Sequence, residues 1–299
     1  MEQNTLEVTE QTEVFSFTSI RELVNETLKT HIGQTPSLPG TPSGFRDLDK
    51  VTGGFQKGQL TTVAVRPGMG KTAFLLSVAN NLAVRNQYSV AVFSSERSSR
   101  KMTTRLIETE TGMSVDQLKN GRLKASEKDH MRSLVNSIAR AKIFIDDTPY
   151  LPVMELVRKC RQLKQQQQVD LVIVDYVELL TIGPAHDRTR GEQLLDIMYL
   201  IKKTARELDI PFLLFSQFQG VPSGFGSASD NLREDLPAYL WEPSDVVMVL
   251  HRSDLDPRHK KQQGKSMVEL IVANKEAGSE RQVVPLAFIE SISKFTDPS

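Results

Sequence analysis

The sequence contains very little cysteine or histidine and no long apolar run. Its 299 residues include one cysteine, Cys160, and 5 histidines. One thiol cannot form an internal disulfide, and the scattered histidines do not have the spacing of zinc ligands. No apolar run approaches the ~20 residues that span a bilayer, and residues 1–13 are polar and acidic, unlike a signal peptide. These absences predict a cytoplasmic protein with no disulfide, no zinc finger and no membrane partner.

The sequence also lacks an excess of either charge. Lysine plus arginine and aspartate plus glutamate each number 37, so the formal net charge is zero. A uniformly basic protein that attracts nucleic acid is therefore excluded, although a local basic patch is not. Hydrophobic residues make up 39% and charged residues 25% of the chain, which is typical of globular proteins with one large or two modest domains.

Composition changes along the chain predict four segments. Residues 1–15 are rich in Glu, Gln and Thr and are predicted to be a disordered tail. Residues 16–34 have an apolar stripe of helical period after a Ser-x-x-Glu capping box that begins at Ser19. Residues 35–44 are rich in Pro, Gly, Ser and Thr and predict a flexible linker before a domain at 45–299. The helix at 16–34 either folds back on its own domain or docks on a neighbouring subunit.

From residue 45 onward, β-rich apolar runs alternate with helical patterns. The predicted strands are 60–65, 89–94, 142–145, 171–174, 211–216, 245–250, 268–273 and 283–289. The predicted helices are 72–85, 98–109, 126–140, 152–165 and 192–208. This alternation predicts an α/β fold with a mainly parallel sheet and helices on both faces. The last three strands have no helices between them and predict an antiparallel edge.

A glycine-rich loop joins the first strand to the next helix. It consists of Arg66, Pro67, Gly68, Met69, Gly70, Lys71, Thr72 and Ala73. Gly-x-Gly-Lys-Thr in this context is typical of a P-loop, in which backbone N–H groups and the helix N-terminus bind phosphate. Lys71 is then expected to contact the β- and γ-phosphates and Thr72 to hold Mg²⁺. Val65 departs from the strict pattern, so a glycine-rich turn before an ordinary helix remains the alternative.

Three further polar side chains follow predicted strands. Asp175 ends an apolar strand and is expected to orient the water shell of Mg²⁺, because ligands bind at the carboxyl ends of parallel strands. Glu96 ends another strand and can activate water, or it can merely favour a helix N-terminus. Gln217 can sense the γ-phosphate, or it can be a simple polar strand end.

These motifs together resemble one family. Segments similar to it occur, in the same order, at residues 55–60, 66–74, 93–96, 145–149, 174–176, 216–217, 232–234 and 245–248. Over roughly residues 35–296 the chain looks like the C-terminal motor domain of the DnaB-type replicative DNA helicases. On this resemblance, the sequence is expected to lack the family's helical N-terminal domain.

The resemblance implies a RecA-like P-loop fold, ATP and Mg²⁺ as ligands, a hexameric ring of identical subunits and single-stranded DNA as a partner. It implies that Lys71, Thr72, Glu96, Asp175 and Gln217 are the P-loop lysine, the metal-holding threonine, the catalytic carboxylate, the metal-orienting aspartate and the γ-phosphate sensor. The family tolerates a small residue at the position of Val65. The helix at 16–34 resembles the family's linker helix, which favours docking between subunits.

The departures from the family concern the contacts between subunits and with DNA. The family's trans-acting Lys-x-Arg pair corresponds to Asn274 and Glu276, with Lys275 or Arg281 as substitutes after a register shift.

The expected DNA-binding loop ends in Arg233 and Glu234, followed by Asp235, and residues 220–231 contain no Lys or Arg. Glu178 replaces a glutamine of the family. Two functions are therefore expected: a DNA helicase driven by ATP, or an ATP-binding paralogue with weak ATPase activity that acts as a switch or partner subunit. A small-molecule kinase is disfavoured because no basic lid segment is evident.

Overall fold

The computed structural model describes residues 20–21, 40–113, 125–183, 187–218, 232–252, 266–275 and 281–298. The chain divides into two units, Met1–Ser37 and Leu38–Ser299. In the first unit only residues 20–21 are described, and both are helical. The capping box, the tail and residues 35–39 of the linker lie outside the described residues, so the four predicted segments remain predictions. All other described residues belong to the second unit.

A nine-stranded sheet forms the centre of this unit. The strands are β1 (Leu60–Val65), β2 (Val90–Ser94), β3 (Ile143–Asp146), β4 (Leu171–Asp175), β5 (Phe212–Gln217), β6 (Val246–His251), β7 (Ser266–Asn274), β8 (Arg281–Ile289) and β9 (Lys294–Thr296). Their order is β3-β2-β4-β5-β1-β6-β7-β8-β9. Strands β3 to β6 in this order are parallel, and β7, β8 and β9 are antiparallel. The predicted parallel sheet with an antiparallel edge is confirmed.

Helices cover the two faces of the sheet. They are α1 (Arg46–Thr52), α2 (Lys71–Ala79), α3 (Ser99–Thr111), α4 (Ala125–Arg140), α5 (Val153–Gln167), α6 (Arg190–Leu208), α7 (Leu232–Asp235) and α8 (Ala238–Trp241). Helix α2 continues as a π-helical turn, Asn80–Arg85. Among the described residues, every helix is too short or too polar to cross a membrane.

Successive side chains of each strand point to opposite faces of the sheet, so the core consists of two layers, one on each face. In β1, Val63 and Val65 belong to the layer that contains α2, whereas Leu60 and Ala64 belong to the layer that contains α5 and α6. All six residues of β1 are buried, as expected for a central parallel strand with both faces covered. The strand that leads into the glycine-rich loop is therefore fixed from both sides.

Phe74 anchors α2 under this loop. Its ring is fully buried, and its centroid lies 5.5 Å from that of Phe45, 5.6 Å from that of Phe295 and 6.2 Å from that of Phe215. We expect Phe74→Ala to lower the free energy of unfolding by about 3–5 kcal/mol, because the cavity would remove contacts from three rings. Urea unfolding measures this loss, with Phe74→Leu as the milder control. A loss below about 1 kcal/mol would show that the cluster collapses into the space.

Cys160 lies in the layer between α5 and the sheet and is 1% exposed. Burial raises the pKa of its thiol well above the usual range. We expect Cys160 to react with a disulfide reagent such as Ellman's reagent on the order of 10²-fold more slowly in the native protein than in guanidinium, because reaction requires local opening. Since the chain has one cysteine, the thiol signal reports this site alone. Equal rates of thiol reaction in the native protein and in guanidinium would contradict the packing of α5 against the sheet.

Candidate nucleotide-binding site

The glycine-rich loop connects the end of β1 to the start of α2. Gly68 and Gly70 have φ angles of 80° and 97°, in the left-handed region that favours glycine. A β-carbon at Gly70 would also lie 3.1 Å from the Phe295 ring, whereas one at Gly68 would meet open space. The loop therefore brings its backbone to the N-terminus of α2, where free N–H groups and the helix dipole favour an anion.

A cleft of about 310 Å³ lies over this loop. Its basic lining residues are Arg66, Lys71, Arg97, Arg105 and Arg252. Glu96 is the acidic residue in the lining, and Gln217 also contributes. A chain without net charge thus concentrates positive charge at one place. Such a concentration suits a polyanionic ligand such as a nucleoside triphosphate.

Lys71 lies between two carboxylates. Its Nζ is 2.5 Å from Glu96 Oε2 and 2.6 Å from Asp175 Oδ1. It also lies 3.9 Å from the centre of the Tyr176 ring. The side chain of Asp175 is 0% exposed and that of Lys71 is 11% exposed, so these charges interact with little screening by water. The structure thus brings together three residues that are 104 positions apart at most, and these are the residues that the sequence assigns to phosphate, metal and water.

Sheet order explains why these residues meet. Ser94, the last residue of β2, pairs in register with Asp175, the last residue of β4. Val65, the last residue of β1, pairs with Gln217, the last residue of β5. Four carboxyl ends of parallel strands therefore meet at one edge, where ligands bind in open α/β sheets.

The residues predicted to hold Mg²⁺ supply oxygen donors of the right kind. Asp175 Oδ2 accepts a hydrogen bond from Ser94 Oγ at 3.1 Å, and the Thr72 side chain is nearly buried. Within the described ranges, no three His, Cys, Asp or Glu side chains come together as metal ligands. Mg²⁺ usually keeps several waters and takes one or two protein oxygens plus substrate phosphates. Thr72 and Asp175 therefore suit a metal that arrives with a nucleotide.

Gln217 is held from behind by Glu178. Glu178 Oε2 accepts the Gln217 backbone N–H at 3.2 Å, and Oε1 accepts the hydroxyls of Ser216 and Tyr239, the latter at 3.0 Å. Burial and the Glu178 carboxylate raise the pKa of the Tyr239 phenol. Glu178 thereby connects the strand end at Gln217 to α8, which contains Tyr239.

Lys275 and Arg281, which were predicted to act in trans, and Asn274, which departs from the family there, lie at the opposite edge of the sheet. Asn274 pairs with Val246 at the start of β6, and Arg281 pairs with Ala273. The length of a six-residue strand, roughly 17 Å, separates that edge from the glycine-rich loop. Lys275 Nζ donates to the backbone carbonyls of Trp241 and Glu242, and burial lowers the pKa of Lys275. None of these three residues lines the cleft of the same chain.

The remaining predicted site residues are placed as follows. Arg66, Pro67 and Ala73 line the cleft, and Met69 packs against the core beside it. Arg233 and Glu234 lie in the short helix α7. The loop at 220–231 and Glu276 lie outside the described residues.

The sequence motifs did not mark three arginines of the cleft, namely Arg97, Arg105 and Arg252. Arg252 directly follows β6, the neighbour of β1, so the strand-end rule that found Asp175 could have found it. It forms an ion pair with Glu290 at 2.9 Å and lies over the Phe288 ring. Arg105 is in the middle of α3, where no local signal marks it. Arg97 adjoins Glu96, and its guanidinium Nε donates to Thr72 Oγ1 at 3.0 Å.

Comparison with known proteins gives the same assignment as the motifs. Residues 40–297 match the DnaB-like helicase C-terminal domain. The replicative DNA helicase DnaB of Geobacillus stearothermophilus is 30% identical over 98% of this chain and 64% of its own length. The replicative DNA helicase DnaC of Bacillus subtilis is 30% identical over 99% of this chain and 65% of its own length. The chain thus spans slightly less than two thirds of these two relatives.

Two solved structures share the fold. The ATPase domain of G40P superposes with a TM-score of 0.80 at 28% identity, covering 95% of this chain and 100% of that domain. A DnaB-like replicative helicase, solved to describe its interactions with primase, superposes with a TM-score of 0.77 at 28% identity, covering 95% of this chain and 68% of that one. These likenesses confirm the predicted RecA-like fold and imply a nucleotide-binding domain. The chain belongs to the DnaB-like helicase C-terminal domain family.

Proposed function

We propose that this protein is an ATP-dependent DNA helicase subunit that hydrolyses ATP, with Mg²⁺, to move along single-stranded DNA. The observation that carries the proposal is the position of Lys71, held between Glu96 and Asp175 at the carboxyl ends of adjacent strands. A lysine, a buried metal-type carboxylate and a more exposed carboxylate at a P-loop are the parts that phosphoryl transfer requires.

The glycine-rich loop is suited to bind the triphosphate. Backbone N–H groups around Gly68 and Gly70 and the N-terminus of α2 would contact the phosphates, and Lys71 would leave the carboxylates for the β- and γ-phosphates. Thr72 and Asp175 would hold Mg²⁺, directly and through water. Mg²⁺, when bound, would neutralise negative charge on the phosphates.

Glu96 is suited to activate the attacking water. Its side chain is 32% exposed, whereas that of Asp175 is 0% exposed. The exposed carboxylate can therefore contact a water molecule and accept its proton as the new P–O bond forms. The bond from the γ-phosphorus to the β,γ-bridging oxygen breaks, and ADP leaves with that electron pair. Gln217 would contact the γ-phosphate, and its strand end would pass a change in position to Glu178 and Tyr239.

The family supplies the remaining parts of the proposal. We propose that identical subunits form a ring, which the resemblance to the family implies is a hexamer. We propose that single-stranded DNA contacts the ring near Arg233 and Glu234, and that the protein is cytoplasmic. Lys275 and Arg281 lie at the edge of the sheet opposite the P-loop and do not line the cleft of their own chain, which leaves them as candidates to act on a neighbouring subunit. Primase is a candidate partner because the structure of a related helicase describes that interaction.

A second function is favoured by one observation. Lys275 Nζ donates to carbonyls at the end of α8 in its own chain. The positions on either side of it, which correspond to the family's Lys-x-Arg pair, are Asn274 and Glu276. A chain that cannot supply charge to the neighbouring site would bind ATP but turn it over slowly. It would then act as a nucleotide-dependent switch or a partner subunit of another ring.

Steady-state ATP hydrolysis with and without single-stranded DNA at low salt distinguishes the two functions. We expect turnover that DNA stimulates several-fold and that Lys71→Ala abolishes, because DNA binding and nucleotide state are coupled in a motor. Slow turnover that ignores DNA, together with firm ATP binding, would favour the switch. Strand separation by the purified protein would exclude the switch.

A further inference from the structure

Arg97 occupies the cleft between the glycine-rich loop and the proposed water-activating carboxylate. Its Nε donates to Thr72 Oγ1 at 3.0 Å, and its NH2 lies 3.9 Å from Glu96 Oε1. Among the residues with described positions, its two terminal nitrogens form no hydrogen bond. A planar group of N–H donors thus faces the space between the hydroxyl of the loop and the Glu96 carboxylate.

The backbone fixes Arg97 at this place. Its backbone N–H donates to Ser94 Oγ at 3.4 Å. The next residue, Ser98, caps the N-terminus of α3. Arg97 therefore sits in a tight connection between β2 and α3. Its side chain is 39% exposed, so it can change rotamer while its Cα stays in position.

The positions that the resemblance assigns to trans-acting cations hold Asn274 and Glu276. Lys275, the nearest cation, is engaged by α8 of its own chain at the far edge of the sheet. Phosphoryl transfer needs positive charge on the γ-phosphate, and an arginine can supply it from the same chain or from a neighbour. Within the described part of the chain, Arg97 contacts both Thr72 of the loop and Glu96.

We infer that Arg97 is a catalytic residue that binds the γ-phosphate in cis and supplies positive charge that Asn274 and Glu276 cannot supply. The inference rests on the proposed ATPase function. The step remains ATP plus water to ADP plus phosphate: water forms the new bond to the γ-phosphorus, Glu96 accepts its proton, and the bond to the β,γ-bridging oxygen breaks. Arg97 would leave Thr72 and donate its N–H groups to the γ-phosphate oxygens, on which charge concentrates.

The test compares Arg97→Met, Arg97→Lys and Arg100→Met with the wild-type chain. Arg100 is an exposed residue of the first turn of α3 and does not line the cleft. We expect Arg97→Met to lower kcat about 10²-fold or more, because a complete arginine finger contributes about 10³–10⁵-fold. Arg97→Lys should retain part of the rate because it keeps the charge but loses the planar fork. Arg100→Met should equal the wild type.

A binding measurement separates catalysis from folding. Affinity for ADP alone should stay within about 3-fold in Arg97→Met, whereas affinity for ADP with aluminium fluoride, which mimics the transferred phosphoryl group, should fall in parallel with kcat. If Arg97→Met lost affinity for ADP alone as strongly as for ADP with aluminium fluoride, the inference would be overturned and Arg97 would be a structural residue. A rise in kcat and in Mg²⁺ affinity would also overturn it, because Arg97 would then compete with Mg²⁺ for Thr72.

Mixed oligomers test the assignment in cis. Lys71→Ala subunits carry an intact Arg97, and Arg97→Met subunits carry an intact Lys71. If Arg97 acts in cis, mixing the two variants restores no activity, whereas restored activity would show that it acts on a neighbour. A wild type without turnover above Lys71→Ala would overturn the proposed function together with the inference. Normal turnover by Arg97→Met would overturn the inference alone.

Discussion

Glu96→Gln is expected to lower kcat for ATP hydrolysis by about 10²–10⁴-fold, the usual contribution of a general base. Glutamine keeps the size of the side chain and loses the carboxylate that would accept the proton from water. It also removes one of the two negative charges next to Lys71, which lies 2.5 Å from Glu96. Affinity for ATP should therefore stay the same or rise. Single-turnover hydrolysis and equilibrium nucleotide binding measure the two effects separately.

The matched control for this substitution is Glu207→Gln. Glu207 forms an exposed ion pair with Arg161 on a helical surface remote from the loop. Glu207→Gln should therefore leave both kcat and the affinity for ATP unchanged. A Glu96→Gln protein that hydrolyses ATP at the normal rate would show that another group activates water. A protein that loses ATP binding to the same extent as hydrolysis would assign Glu96 to binding instead.

The strand ends of the site could be predicted from sequence because their chemistry is local. An apolar run that ends in a carboxylate marks both Asp175 and Glu96, and glycines before Lys71 mark the turn. In the structure β2 lies beside β4, with Ser94 opposite Asp175, and not beside the P-loop strand β1. The roles of these residues in ATP hydrolysis remain predictions. What the strand patterns do not contain is the order of strands in the sheet, since order depends on contacts between distant segments.

Other features required the three-dimensional arrangement. Strand β9 has only three residues, Lys294–Thr296, too few to show a period of two. The predicted helix at 72–85 is two elements because α2 changes to a π-helical turn at Asn80, and hydrophobic periodicity does not separate these helix types. Glu178 was noticed as a departure from the family, but its partners Ser216 and Tyr239 are 38 and 61 positions away.

Lys71→Ala is expected to abolish ATP hydrolysis and also to destabilise the protein without nucleotide. Lys71 Nζ lies within 2.6 Å of both Glu96 and Asp175. Removing the cation leaves Asp175 buried, with Ser94 as a hydrogen-bond donor but without an opposite charge. Breaking a buried ion pair in this way costs about 3–5 kcal/mol. We expect the lower end of that range because Glu96 is partly exposed. Urea unfolding of the apo protein measures the loss.

The double variant Lys71→Ala/Asp175→Asn separates this destabilisation from catalysis. Asparagine keeps the shape of Asp175 and removes the stranded charge, so the double variant should regain most of the lost stability while ATP hydrolysis stays abolished. The cycle formed with Asp175→Asn gives the coupling energy between the two residues, which for directly interacting groups is about 0.5–3 kcal/mol. A coupling near zero would mean that the two side chains stabilise the apo protein independently. A strong coupling would mean that Lys71 neutralises the Asp175 carboxylate before nucleotide arrives. Binding of ATP with Mg²⁺ would then exchange one set of charge pairs for another.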